Sequence, residues 1–171
     1  GAAKELLTRL IETAEAEGFE FAALFSEIAP RIYEQLDFVP VPLTEWRLAV
    51  DQKGGGPPAV LVRSGDDRDV PAISEISAAR VAGTRLAVAR SEDFIKHGIA
   101  RRRLLAGLGP PGLREVEFLV SEEGHQPVAY IVCVSHVGTW FIEDAGDRDP
   151  AGARLGAMLQ VMLARRPGEA V

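Results

Sequence analysis

The stretch that decides the fold is residues 113–144, LREVEFLVSEEGHQPVAYIVCVSHVGTWFIED. Its first part alternates, with Val116, Phe118 and Val120 on one face and Glu115 and Glu117 on the other, as a strand does. EEGHQ then reads as a turn, PVAYIVCVS as a second strand, HVG as another turn, and TWFIED as a third strand. Three extended runs separated by short polar turns predict an antiparallel meander. Cys133, the one cysteine in the chain, sits in the apolar middle run, so it reads as a small buried hydrophobe. A single cysteine also excludes an intrachain disulfide framework.

Both flanks of the meander read as helix. Downstream, AGARLGAMLQVMLARR is amphipathic and turns Leu155, Met158, Leu159, Met162 and Leu163 inward. Upstream, SEDFIKHGIARRRLLAGLG has an acidic first turn and basic residues toward its end, as the helix dipole favours. Before it come AVLVRSG, a strand, and DRDVPAISEISAARVAG, a helix with Asp69 placed to cap it and Val70, Ile73 and Ile76 along one stripe.

DQKGGGPP (residues 51–58) is the clearest boundary in the chain, because three glycines and two prolines in a row give no reason for regular structure. It lacks the GK[ST] of a phosphate loop. On its N-terminal side, AAKELLTRLIETAEAEG predicts a helix stopped at Gly18, with Glu5 and Arg9 paired four apart. EFAALF predicts a short buried strand. SEIAPRIYEQL predicts a short helix capped by Ser26, with Pro30 in its first turn, and FVPVPLTEWRLAV an extended run suited to a sheet edge. The predicted organisation is residues 1–50, a linker over 51–58, and residues 59–171. The expected class is α/β or α+β, with helices packed on sheets.

With 171 residues and 47% hydrophobic content, the chain is long enough and apolar enough to fold. Its formal charge of -6 argues against nucleic acid or an anionic membrane as partner. ARRRLLAG (residues 100–107) is the densest basic cluster, but no aromatic platform accompanies it. No run approaches a membrane span and no secretory leader is recognisable, so a cytoplasmic protein is expected.

The residues themselves offer little catalytic machinery. His97, His125 and His136 have no metal-ligand spacing, and no nucleophile elbow is present. FIEDAGDRDP, with Glu143, Asp144, Asp147 and Asp149, reads as an acidic loop, either solvated or able to bind an amine or act as a base. Two helix starts could receive a phosphate on free amides: Gly1, Ala2 and Ala3, and the Gly/Ala-rich AGDRDPAGARLG. Tyr33 could donate a proton to a leaving group, or could simply pack at a helix end.

Residues 1–42, GAAKELLTRLIETAEAEGFEFAALFSEIAPRIYEQLDFVPVP, resemble the second half of a domain of the GNAT family of N-acetyltransferases. In that family a pyrophosphate-binding turn, Arg/Gln-x-x-Gly-x-Gly/Ala, runs into a long helix. Gly1 and Ala3 match the end of that turn. The family's short Tyr-x-x-x-Gly-Phe helix is matched by YEQLDF at Tyr33 and Phe38, with Asp37 where glycine is usual. Residues 59–171 are similar to the first half of the same fold: strand, two helices, meander, and the helix after the pyrophosphate loop. There Arg148 takes the Arg/Gln place, while Ala151 falls where the first glycine belongs and Gly152 stands one position off.

The resemblance implies a mixed sheet covered by helices, in an order expected of either a piece of a tandem protein or a circular permutation. Exchange between chains of a dimer would also complete the sheet. It implies transfer of an acetyl group from acetyl-CoA to an amine of a small molecule or a protein. Tyr33 would protonate the leaving thiolate, and Glu143 and Asp144 would serve the amine side. Gly1, Ala2, Ala3, Lys4, Arg148 and Gly152 would hold the coenzyme. The alternative is a degenerate GNAT-like scaffold that works through protein contacts. Coenzyme binding separates the two.

Overall fold

The computed structural model describes residues 2–26, 30–42, 44–46, 59–85, 87–137 and 139–165. It divides into two compact units, Gly1–Leu48 and Ala49–Val171. The boundary segment DQKGGGPP lies outside the described residues.

Unit 1 begins with helix α1 (Ala2–Ala16), where Arg9 donates to Glu5 at 2.7 Å. Gly18, at φ 85°, takes the left-handed conformation that ends a helix cheaply only with glycine. Glu20–Phe25, expected as a buried strand, is neither helix nor strand among the described residues, and Phe21 and Phe25 are exposed, as is the preceding Phe19. Helix α2 is a single turn (Arg31–Glu34). Its N-cap is Pro30 and no side chain caps it, so the predicted Ser26 cap is replaced by a different contact, described below. None of the described residues of unit 1 is buried.

Unit 2 is built on four antiparallel strands in the order β1 (Val62–Ser64), β2 (Arg114–Glu123), β3 (Gln126–His136) and β4 (Thr139–Asp147). This is an α+β arrangement, and the described sheet holds no parallel pair. Helices α3 (Val70–Val81) and α4 (Glu92–Gly107) cover one face, and α5 (Ala153–Ala164) covers the other. Alternation divides the strands between two cores. Phe118, Val120, Tyr130 and Val132 join Val70, Ile73, Ile76, Ile95 and Ile99. Leu119, Ala129, Ile131 and Cys133 meet Met158 and Met162. The middle strand reads as a continuous apolar run because both of its faces are covered.

Local signals set the helix starts. Ser91 caps α4 through the Phe94 amide. Asp69 does not cap α3 as predicted. A 3₁₀ turn (Asp67–Asp69) precedes that helix, and Asp66 caps the turn in a reciprocal capping box with Asp69. Asp69 is thereby free to bind Arg63, with oxygens at 2.7 and 2.6 Å from the guanidinium nitrogens. The basic run Arg101–Arg103 lies one turn before the end of α4, not in its last turn.

Two glycines are required by close approach. A Cβ on Gly146 would lie 2.6 Å from the Tyr130 ring and 2.8 Å from Ile76, and one on Gly65 would lie 2.6 Å from the Phe118 ring.

Candidate functional site

In unit 1 the candidate acid, Tyr33, is half-buried on α2. Its ring meets Phe38 edge-on with centroids 6.1 Å apart, and the Ser26 hydroxyl donates to its oxygen at 3.2 Å. Asp37 stands at φ 63°, the left-handed region that glycine enters freely and aspartate only at a cost. The turn between Tyr33 and Phe38 therefore has the backbone that a glycine would supply. Ala2, Ala3 and Lys4 open α1 and are exposed, while Gly1 lies outside the described residues.

In unit 2 the acidic stretch is strand rather than loop, since β4 runs through Asp147. Its pairing with β3 slips by one residue: Cys133 opposes Ile142 and Val132 opposes Asp144, which leaves Glu143 as the extra residue of a β-bulge. The bulge turns Glu143 and Asp144 toward α4 and the segment before it. Glu143 pairs with Arg102 at 3.0 Å and is about one-third exposed. Asp144, 10% exposed, accepts from both amino groups of Arg90 at 2.8 and 2.5 Å. Arg80 stands 3.8 Å from the same carboxylate and donates to the Ala145 carbonyl.

Beside this pair the Tyr130 hydroxyl is buried and has no hydrogen-bond partner among the described residues. Burial, and secondarily the negative Asp144, push its pKa up. The Arg90 guanidinium is raised by its hydrogen bonds to Asp144. The cluster is a locked ion pair under a neutral phenol, so Asp144 has no lone cation-seeking face to offer an amine.

The helix start after β4 is closed by its own chain. Asp147, with a side chain only 1% exposed, accepts from the Arg154 amide at 2.9 Å, from the Asp149 amide at 2.9 Å and from the Arg154 guanidinium at 2.8 Å. Arg154 continues to Glu123 in the β2–β3 hairpin at 2.7 Å. Gly152, at φ 68°, is the N-cap residue of α5 and makes the turn that brings this about. Arg148 points elsewhere, to the Pro127 carbonyl at 3.1 Å and to Glu75 at 3.2 Å.

Arg148 also lines a groove of about 790 Å³ with Arg63, Arg68, Asp69, Glu75 and His125. Arg63 is bound there to Asp69 and Glu122, Arg68 to Asp66, and Arg148 to Glu75. Its cations are neutralised from within, which leaves little net field to select a charged ligand.

The structure thus gathers Glu143 and Asp144 on one bulge and places Arg148 and Gly152 in the following turn. Tyr33 and Ala2–Lys4 belong to unit 1. Arg90, Tyr130 and Arg154 were not singled out from sequence. Arg90 meets Asp144 across 54 positions, and neither residue's neighbours mark the pairing. Asp147 was visible only as one acid among several.

Among the described residues there is no metal-binding cluster, and no helix is long and apolar enough to cross a membrane. The sequence matches no protein-family model, and no curated protein or solved structure matches it significantly.

Proposed function

We propose that the protein is an acetyl-CoA-dependent N-acetyltransferase whose chemistry belongs to unit 1, with unit 2 a GNAT-like companion that has given up its coenzyme end. The observation that carries this division is Asp147. Its carboxylate holds the Arg154 amide in the first turn of α5, the kind of group a pyrophosphate would need. A phosphate brought there would meet a buried negative charge. Unit 2 does not fit the coenzyme.

Two features of unit 1 support the reading. Ala2 and Ala3 put no bulk at the start of α1, and Lys4 adds a cation beside it. Asp37 adopts the backbone that the Tyr-x-x-x-Gly-Phe pattern requires, which supports the assignment of Tyr33. In the reaction an amine nitrogen attacks the thioester carbonyl and the carbon–sulfur bond breaks. The departing thiolate then takes a proton, assigned to the Tyr33 hydroxyl, and the ammonium proton leaves to water or a carboxylate. The charge of -6 favours a cationic acceptor, an amine of a small molecule or a protein. A cytoplasmic setting goes with this reading.

Titration calorimetry with acetyl-CoA tests it. Binding is expected to be lost in Lys4→Glu and kept in Arg148→Glu, while Tyr33→Phe keeps binding and loses turnover. Loss of binding in Arg148→Glu alone would move the coenzyme to unit 2. No binding at millimolar ligand would leave the scaffold reading.

A further inference from the structure

The two edges of the unit 2 sheet are built differently. β1 is three residues long, and its middle residue, Arg63, is tied to Asp69 and Glu122. A short, charged edge is a poor template for another strand. β4 is nine residues long and pairs only with β3 among the described residues. Its first four residues, Thr139–Trp140–Phe141–Ile142, carry no charge and no proline, and Phe141 and Ile142 are 47% and 45% exposed. Among the described residues no other strand pairs with this edge, and the first irregularity along it is the bulge at Glu143.

We infer that β4 pairs antiparallel with β4 of a second copy, about a two-fold axis through Phe141, and joins two four-stranded sheets into one of eight strands. The proposal does not depend on unit 1 being catalytic.

Three constraints select this register. In a continuous antiparallel sheet, opposed residues must share a face, so a residue on the α3 and α4 side opposes another on that side. Phe141 lies on that side, because it opposes Val134, two residues on from Val132 in the core beneath those helices. An axis at Phe141 opposes Phe141 to its symmetry mate, Trp140 to Ile142, and Thr139 to Glu143. Every apolar side chain then meets an apolar one. Moving the axis to 142 would set Phe141 against Glu143 and Trp140 against Asp144, and moving it to 143 or 144 would set an acid against itself, which is destabilising. The bulge then ends the ladder, because its extra residue breaks the pleat. A self-complementary patch of this kind generates a closed dimer, the commonest form of protein assembly.

The single native cysteine, Cys133, is buried, so an introduced thiol is the only accessible one. Under mild oxidation Phe141→Cys is expected to form a covalent dimer, since opposed Cα atoms in a ladder lie within disulfide range. Thr139→Cys and Glu143→Cys alone should stay uncrosslinked, and their mixture should yield a heterodimer. In sedimentation velocity the unmodified chain should run as a dimer, and Phe141→Lys as a folded monomer by circular dichroism. A monomer at all accessible concentrations overturns the inference. So does a dimer that Phe141→Lys leaves intact and Phe141→Cys fails to lock.

Discussion

Arg90 grips Asp144 with both amino groups, 2.8 Å to one oxygen and 2.5 Å to the other, and so ties the segment before α4 to the bulge of β4. Arg90 is further fixed at Ser77 and, through its carbonyl, at Ser74, both on α3. Replacing Asp144 with Ala leaves a largely buried guanidinium without its counter-charge. The loss should be about 3 kcal/mol, the lower end for a broken buried pair, since one-fifth of the Arg90 side chain still meets water. Urea unfolding measures it. Arg90→Met combined with Asp144→Leu should cost less than Asp144→Ala alone.

Tyr130→Phe should leave stability unchanged or raise it slightly. The phenol oxygen is buried with no partner among the described residues, so removing it deletes a desolvated polar group and none of the hydrogen bonds seen there. A midpoint shift to lower denaturant would mean that the hydroxyl holds a water bridging to Asp144.

Acid should destabilise unit 2 through Asp69. Burial works against its charge, but hydrogen bonds from Arg63 and the Asp66 amide, with the guanidinium charge, outweigh burial and hold its pKa below the ordinary 3.8. The folded chain therefore binds this proton less readily than the unfolded one. Its contribution is complete above 3.8 and drains away as pH falls through the lower folded value. Asp69→Asn should flatten the part of the stability-versus-pH curve below 3.8 and leave the slope at neutral pH as it was.

Gly146→Ala should cost about 1–3 kcal/mol, because the new methyl meets the Tyr130 ring and Ile76, neither of which has room to retreat. Coupling the change to Ile76→Val should recover part of the loss. If the two effects simply add, the contact assigned to Ile76 is wrong.

Much of unit 2 could be read from its sequence because its signals are short-range. Alternation in Val116, Phe118 and Val120, the apolar run around Cys133, and the stripe of Val70, Ile73 and Ile76 each report a face within one element. Phe118, Val120, Cys133 and all three stripe residues are buried as that reading requires. Asp69 and Ser26 show the limit. Either residue type suits a helix cap locally, yet Asp69 is drawn to Arg63 and Ser26 to the Tyr33 hydroxyl. The site was harder for the same reason. Arg90–Asp144, Arg102–Glu143 and Arg154–Glu123 join residues 54, 41 and 31 positions apart, and composition carries no record of such pairings. EFAALF shows the converse: a strand-like sequence stays unpaired where no neighbour strand is supplied among the described residues.

Asp147 has a mechanical consequence beyond its charge. It is the last residue of β4, and its carboxylate seizes an amide and a side chain of α5, while Arg154 reaches on to the tip of the neighbouring hairpin. Strand end, helix start and hairpin are thus stitched at one point. α5 cannot roll or lift from the sheet without tearing three charged contacts together. This end of unit 2 is a clasp rather than a mouth.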